Sequence, residues 1–221
     1  MAALTCPVCG CGETRVLLVD RVGKTYHRCT VCEATFLDRS CFLSPAEEYA
    51  HYLTHENDLS DAGYRTYLSK LADPLRARLA PASSGLDYGC GPAPALADMM
   101  RGSGHEMAVF DPYFADDGSV LERAYDFVTC TETAEHFHAP GDEFERLSAL
   151  LKPGGVLAVM TIFQTDDARF EAWRYRQDPT HVVFYREQTF AVLARQLQLQ
   201  CDVIARDVVF LSKPQRPLTG R

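Results

Sequence analysis

What this 221-residue chain lacks narrows it first. It has no apolar run of membrane-spanning length, and Met1-Ala2-Ala3-Leu4-Thr5 leads into cysteines without a basic, apolar leader. Nine cysteines, an odd number, suit a disulfide framework poorly, so a reducing, cytoplasmic location without membrane insertion is expected. Basic residues are in deficit: 22 Lys and Arg against 30 Asp and Glu give a net charge of −8 with histidines neutral. Nucleic-acid phosphates are gripped by clustered Lys and Arg, so a general polyanion binder is disfavoured, with room left for a local basic patch. No Gly-Lys-Ser/Thr follows a glycine loop, which excludes a P-loop.

What is there begins with Leu86-Asp87-Tyr88-Gly89-Cys90-Gly91-Pro92, and with Asp111 at the end of Met107-Ala108-Val109-Phe110. A short apolar run ends in an acid, two glycines follow one residue apart, and a helix-like segment opens behind them. Glycine suits backbone that turns with positive φ or must approach a ligand without a Cβ in the way. The helix start behind such a loop offers unpaired N–H groups to a polar ligand. An acid after the next strand stands where nucleotide-type sites place a carboxylate for ribose hydroxyls. The third glycine of G-x-G-x-x-G is absent; Pro92 and Pro94 take its place, and proline is tolerated where a helix begins.

This acid-x-Gly-x-Gly pattern resembles motif I of the class I S-adenosylmethionine-dependent methyltransferases. Tyr125-Asp126-Phe127-Val128-Thr129-Cys130-Thr131-Glu132-Thr133-Ala134-Glu135-His136-Phe137 resembles the family's fourth strand and its E-x-x-E-H turn. Leu150-Leu151-Lys152-Pro153-Gly154-Gly155 resembles the turn entering the fifth strand, and Asp178-Pro179-Thr180-His181-Val182-Val183-Phe184-Tyr185 a segment of one branch that includes quinone-biosynthesis O-methyltransferases. The resemblance spans roughly Tyr52 to Leu211. It implies an α/β fold, a doubly wound, mostly parallel Rossmann-like sheet with a C-terminal antiparallel hairpin. It also implies S-adenosyl-L-methionine as cofactor, with Asp87, Tyr88, Gly89, Cys90, Gly91, Asp111, Pro112, Thr131 and Glu132 around it and Tyr64 closing over it.

Cys6-x-x-Cys9 and Cys29-x-x-Cys32, separated by nineteen residues, form a second motif. Each pair turns two sulfurs inward, and two pairs complete a tetrahedral zinc site that leaves no open position, so its role is structural. Thr14–Leu18 and Thr25–Arg28 read as the strands of a zinc ribbon. Cys11 and His27 are spare candidates out of register. The ribbon is either a folding clip or a recognition surface. Five basic residues against four acidic ones up to Leu43 make a weak electrostatic footprint, which favours the clip.

The organisation expected is a zinc ribbon over 1–43 and a methyltransferase domain over 44–221, its first part, 44–80, a helical extension. Ser44-Pro45 caps a short helix, His51–Ser60 is a polar connector, and Gly63–Leu79 carries a helical stripe that Pro74 kinks or splits. Glu187–Gln196 is a helix, and strands follow near Gln200–Ala205 and Asp207–Leu211. Only fourteen residues, Pro112 to Tyr125, separate Asp111 from Asp126, so the family's third strand is short or missing. Asp116 or Asp117 then stands in for its adenine-side acid.

Ligands sit at the carboxyl ends of parallel strands, so Thr131, Glu132 and His136 after one strand and Ile162 and Phe163 after the next are expected to face the site. His136 and His181 are the candidate catalytic bases, imidazole being able to take a proton near neutral pH. His51, His55, His105 and His138 have no spacing that suggests a metal. The leading reading is methyl transfer to a small-molecule acceptor, the ribbon serving as a clip. One alternative is an RNA methyltransferase that reads its substrate with the ribbon, and another a non-catalytic cofactor-binding module for a partner.

Overall fold

In the computed structural model the described residues are 4–54, 59 and 61–215; of the connector read over His51–Ser60, residues 55–58 and 60, His55 among them, lie outside these. Strands β1 (Thr14–Val19), β2 (Thr25–Cys29) and β3 (Thr35–Leu37) form an antiparallel meander. Helix α1 (Pro45–Tyr52) starts at Ser44 with a full capping box, Ser44 and Glu47 each satisfying the other's backbone amide. Helix α2 (Ala62–Arg76) is capped by Asp61 and runs through Pro74 as one element, ending two residues later. Proline here does not split the helix, forfeiting only its own bond to the Lys70 carbonyl, and the helix ends three residues short of the expected Leu79.

The rest alternates: β4 (Ser84–Tyr88), α3 (Ala95–Gly102), β5 (Glu106–Phe110), β6 (Tyr125–Thr131), α4 (Pro140–Ala149), β7 (Leu151–Met160), β8 (Val183–Phe184), α5 (Glu187–Gln196), β9 (Gln200–Ala205) and β10 (Val208–Ser212). Six strands make one sheet in the order β5-β4-β6-β7-β10-β9. The first four are parallel, and β10 runs antiparallel to both β7 and β9. Between β5 and β6 there is only the Asp111–Ala115 bridge and a 3-10 turn at Gly118–Glu122, so β5 is the sheet edge.

Both faces of the sheet are covered, and the strands show it by alternation. Val156, Ala158, Met160, Val208 and Phe210 pack under α2 and α3. Leu157, Val159, Val209 and Leu211 face the opposite side, with Phe144 and Leu147 of α4 and Phe190 and Leu193 of α5. The Lys152–Gly155 turn expected ahead of this strand lies inside β7: Tyr125 pairs with Leu151 and Phe127 with Val156, so the Pro-Gly-Gly residues bulge out of the ladder.

The ribbon is built into this body. Strand β8, from far along the chain, pairs with β3 and extends the meander to a four-stranded sheet. Cys6, Val8, Cys29, Cys32 and Phe36 belong to the same apolar core as α4 and α5. The cysteine turns rest on these helices: Gly141 N–H donates to the Pro7 carbonyl at 3.0 Å, Thr189 Oγ1 to that of Cys32 at 2.8 Å, and Gln196 Nε2 to that of Cys9 at 2.9 Å.

Candidate functional site

Two sites stand apart in the fold. In the first, the Sγ atoms of Cys6, Cys9, Cys29 and Cys32 all lie within 4.8 Å of one another, with Cys6–Cys32 and Cys9–Cys29 both at 3.6 Å. Thiolates about 2.3 Å from a central zinc stand about 3.8 Å apart, so the four sulfurs fit that tetrahedron. His27 is engaged elsewhere, its Nε2 3.2 Å from Asp38 Oδ2, and Cys11 Sγ accepts from Glu13 N–H.

The second is a cleft of about 670 Å³ at the carboxyl ends of β4, β5 and β6. Its floor at one end is the glycine loop. Gly89 has φ +75°, and a Cβ there would stand 2.1 Å from Thr133 Cγ2; only glycine fits. Thr133 in turn donates through Oγ1 to the Gly89 carbonyl at 3.1 Å, tying the loop to the turn after β6. Gly91 N–H donates to Asp111 Oδ2 at 2.9 Å, while Asp111 Oδ1 accepts from Tyr113 and Phe114 N–H at 2.9 and 3.2 Å. The carboxylate is thus engaged by three backbone amides, and any further donor must use its last lone-pair position or displace Gly91.

Tyr64 of α2, Tyr88, Cys90, Pro112, Thr131 and Glu132 line the same cleft. Burial pushes the Cys90 thiol up to about 12, so it is neutral. Asp87 lies beneath it, buried and held by Thr129 Oγ1 at 2.7 Å; burial raises its carboxyl to about 6. Glu132 occupies left-handed backbone at φ +49°, a conformation that is costly away from glycine. Burial, then the neighbouring Glu135, lifts its carboxyl to about 9.

The other end of the cleft collects His136, His181, Glu135, Tyr175, Asp178 and His138. The two candidate bases are neighbours, their ring centroids 4.7 Å apart. Burial lowers the His181 imidazole, the Glu135 carboxylate opposing that shift. Burial works against the Asp178 carboxyl, yet hydrogen bonds from Thr180 hold it down at about 2. His51 and His138 find carboxylates of their own, Asp178 and Glu48, at 3.2 and 2.7 Å.

The cleft is narrower in membership than the strand-end rule suggests. Ile162 and Phe163 do not line it: Phe163 packs against Phe190 in the core, because the chain after β7 turns under β8. Asp116 and Asp117 are exposed and outside it, Asp117 capping the 3-10 turn. Sequence reasoning gave no role to Glu48 and Tyr52 of α1, to Thr133, or to Glu135. Glu135 carried a readable signal, its place beside His136 in the E-x-x-E-H segment; Glu48 and Tyr52 carried none, since they arrive by packing of a distant helix.

A parallel sheet with helices on both faces, an antiparallel C-terminal hairpin and a ligand-sized cleft at its strand ends is the methyltransferase fold. A family model for a methyltransferase domain matches residues 61–203, and the chain belongs to that family. Among solved structures it is similar to 1,6-didemethyltoxoflavin-N1-methyltransferase of Burkholderia thailandensis, which was determined with 1,6-didemethyltoxoflavin and S-adenosylhomocysteine bound. The likeness has 18% identity, covers 91% of this chain and 99% of that one, and has a TM-score of 0.51. It is also similar to a chain in the complex of the Haloferax volcanii Trm112 methyltransferase activator with its methyltransferase partner, at 15% identity over 76% and 98% of the two chains, TM-score 0.51. No curated protein sequence matches the chain.

Proposed function

We propose that the protein is an S-adenosylmethionine-dependent methyltransferase acting on a small-molecule acceptor. The observation that carries this reading is a single cleft with two chemically distinct ends: a glycine loop joined to a buried acid at one, and a pair of imidazoles ringed by aromatic side chains at the other. Bound there, S-adenosylmethionine supplies an electrophilic methyl group on sulfur. The chain's own part is alignment, with removal of a proton where the acceptor is a hydroxyl or protonated nitrogen.

The residues suit these tasks. Gly89, Cys90 and Gly91 bring backbone close to the ligand without a side chain at Gly89 in the way. Asp111 and Pro112 stand at the ribose position, Tyr64 covers the cleft from α2, and Tyr88, Thr131 and Glu132 border it, whereas Asp87 is buried outside its lining and acts only by supporting the loop. His136 and His181 face the acceptor and take its proton. The Burkholderia neighbour, solved with S-adenosylhomocysteine and 1,6-didemethyltoxoflavin, supports this reading through the shared fold. The aromatic wall of Tyr52, Tyr113, Phe114 and Tyr175 suits a planar acceptor of the quinone-precursor kind. The four cysteines hold zinc as a structural clip over residues 1–43, in a cytoplasmic, reducing environment that keeps their thiols available.

Isothermal calorimetry with S-adenosylhomocysteine tests the reading: one site per chain is expected. Absence of binding by folded protein would overturn both the enzyme reading and the cofactor-binding partner-module alternative. Retention on heparin with a steep salt dependence would move the substrate to RNA.

A further inference from the structure

The cleft reaches from one face of the sheet to the other. Tyr64 in its lining packs with the core under α2 and α3, whereas Tyr88 and Phe137 belong to the core of α4 and α5. Asp111 directly follows the edge strand β5, and the chain beyond it adds Pro112, Tyr113 and Phe114 to the lining. The base and the 5′-sulfur leave a ribose on opposite sides. With the ribose at Asp111 and the sulfur side under Tyr64, the base therefore points away from α2 and toward α4.

Adenine asks for flat apolar surface and an acceptor for its exocyclic amine. The surface is there: Phe137 stands edge-on to Tyr88 with ring centroids 6.2 Å apart, and Tyr88 stacks on Phe110 at 5.2 Å. The acceptor does not come from Asp116 or Asp117, which are exposed and outside the cleft. Most carboxylates that line the cleft are committed. Asp111 accepts from three amides, and Glu48 has His138 Nε2 2.7 Å from one oxygen and the Tyr113 hydroxyl 3.2 Å from the other. Tyr67 of α2 donates to Glu132, while Glu135 and Asp178 lie beside the His181 imidazole.

Glu143 is placed differently. It sits in the first turn of α4 and lines the cleft, with its side chain 23% exposed. Its Oε2 accepts from the hydroxyl of Tyr88, a residue only 6% exposed. The nearest cation to Oε1 is Arg146 Nη1 at 3.9 Å, beyond hydrogen-bond reach. Tyr88 thus pins one oxygen of this carboxylate and leaves the other for a donor in the cleft.

We infer that Glu143 accepts from the exocyclic amine of the cofactor's adenine, the base lodging between the Pro112–Phe114 segment and the first turn of α4. This rests on the S-adenosylmethionine reading and names the residue that distinguishes its base. The contact moves from the sheet edge, where the short Pro112–Tyr125 segment brings no further strand, to a helix. An ionised acceptor makes the stronger class of hydrogen bond with an N–H. It also rejects a 6-oxo base, whose carbonyl oxygen offers the carboxylate no proton. Tyr88 is a positioning residue, acting on the base through Glu143.

Isothermal calorimetry of the full chain with S-adenosylhomocysteine and with S-inosylhomocysteine, which carries oxygen in place of the amine, tests the assignment. The wild type should bind the amino ligand about tenfold more tightly or better. In Glu143→Gln the ratio should fall to within about threefold, because a carboxamide offers both a donor and an acceptor. Thermal melts check that the variant folds. If it does not, Glu143→Asp, which keeps the charge but withdraws the oxygen by one methylene, is read in the same way. A merely structural Glu143 would weaken both ligands alike, and an unchanged ratio in a folded variant overturns the assignment. So does a wild type that binds the two ligands equally, which leaves the cofactor reading intact. A folded wild type that binds neither ligand removes the cofactor reading and the assignment with it.

Discussion

Val182 N–H donates to the Glu135 carbonyl at 2.9 Å, and the Val182 carbonyl accepts from Leu37 N–H at 2.8 Å. One residue thereby links the ribbon's last strand, the loop that carries His181, and the turn that carries Glu135 and His136. The segment read as a separate ribbon over 1–43 is thus tied, through Val182, to the acceptor end of the cleft.

Removing the clip should therefore reach the site. If the four cysteines hold zinc as proposed, stripping it with a chelator, or Cys32→Ser, should lower the thermal midpoint through loss of several kcal/mol of metal-linked folding energy. Acceptor turnover should be lost at temperatures where S-adenosylhomocysteine still binds, because the glycine loop belongs to the other end of the cleft. Parallel melts and calorimetry measure this. Equal loss of both activities would mean that the ribbon supports the whole fold rather than the His181 segment.

Asp111→Ala should weaken S-adenosylhomocysteine binding at least tenfold in calorimetry, and should also destabilise. Three backbone amides lose a charged acceptor, at about 1.5 to 3 kcal/mol in denaturant unfolding. Asp111→Asn keeps one carbonyl acceptor and should recover part of the stability but little of the affinity. An affinity unchanged in Asp111→Ala would show that the ribose lies elsewhere.

Gly89→Ala places a methyl group against Thr133 and forces alanine to a positive φ. The backbone part costs roughly 1 to 3 kcal/mol. Thr133→Ala in the same chain should relieve the two closest contacts but leave the Cβ of residue 133 at 2.8 Å, so a double-mutant cycle in urea unfolding should show partial positive coupling between the two positions. Strict additivity would mean that the loop and the turn after β6 move independently.

Asp87 sets a pH dependence. Its folded-state pKa of about 6 lies above the ordinary 3.8, so the native protein holds this proton more tightly than the unfolded chain. The associated stability is complete below about pH 4 and is lost as pH rises through 6, on the order of 3 kcal/mol in all. Asp87→Asn should flatten that part of the stability curve when unfolding is followed from pH 4 to 8 without ligand. An unchanged slope would assign it to another group.

Much of this was legible beforehand because it is local. Gly89 and Gly91, followed by Pro92, mark a strand-to-helix loop by conformational need alone, and the short Pro112–Tyr125 segment announces a sheet with one edge strand fewer. The α5 bounds, the capping box at Ser44 and the antiparallel end strands follow from periodicity and capping chemistry. Pro74 does not split its helix, because it forfeits one hydrogen bond while the packed apolar stripe of Leu68, Leu71 and Leu75 holds both sides of it. The Pro-Gly-Gly bulge misled because a turn signal can sit within a ladder that resumes on either side.

By itself the amino-acid order determined the element sequence, the glycine loop with its acid, and the four-cysteine spacing, since each depends on residues close along the chain or on a fixed repeat. Only the tertiary structure decided that β3 would pair with β8, that Glu48 and Tyr52 would wall the cleft, and that Glu135 would lie buried between two histidines. Those arrangements arise where distant apolar surfaces share one core, and the energy that selects them is spread over many packed side chains rather than written at any single position.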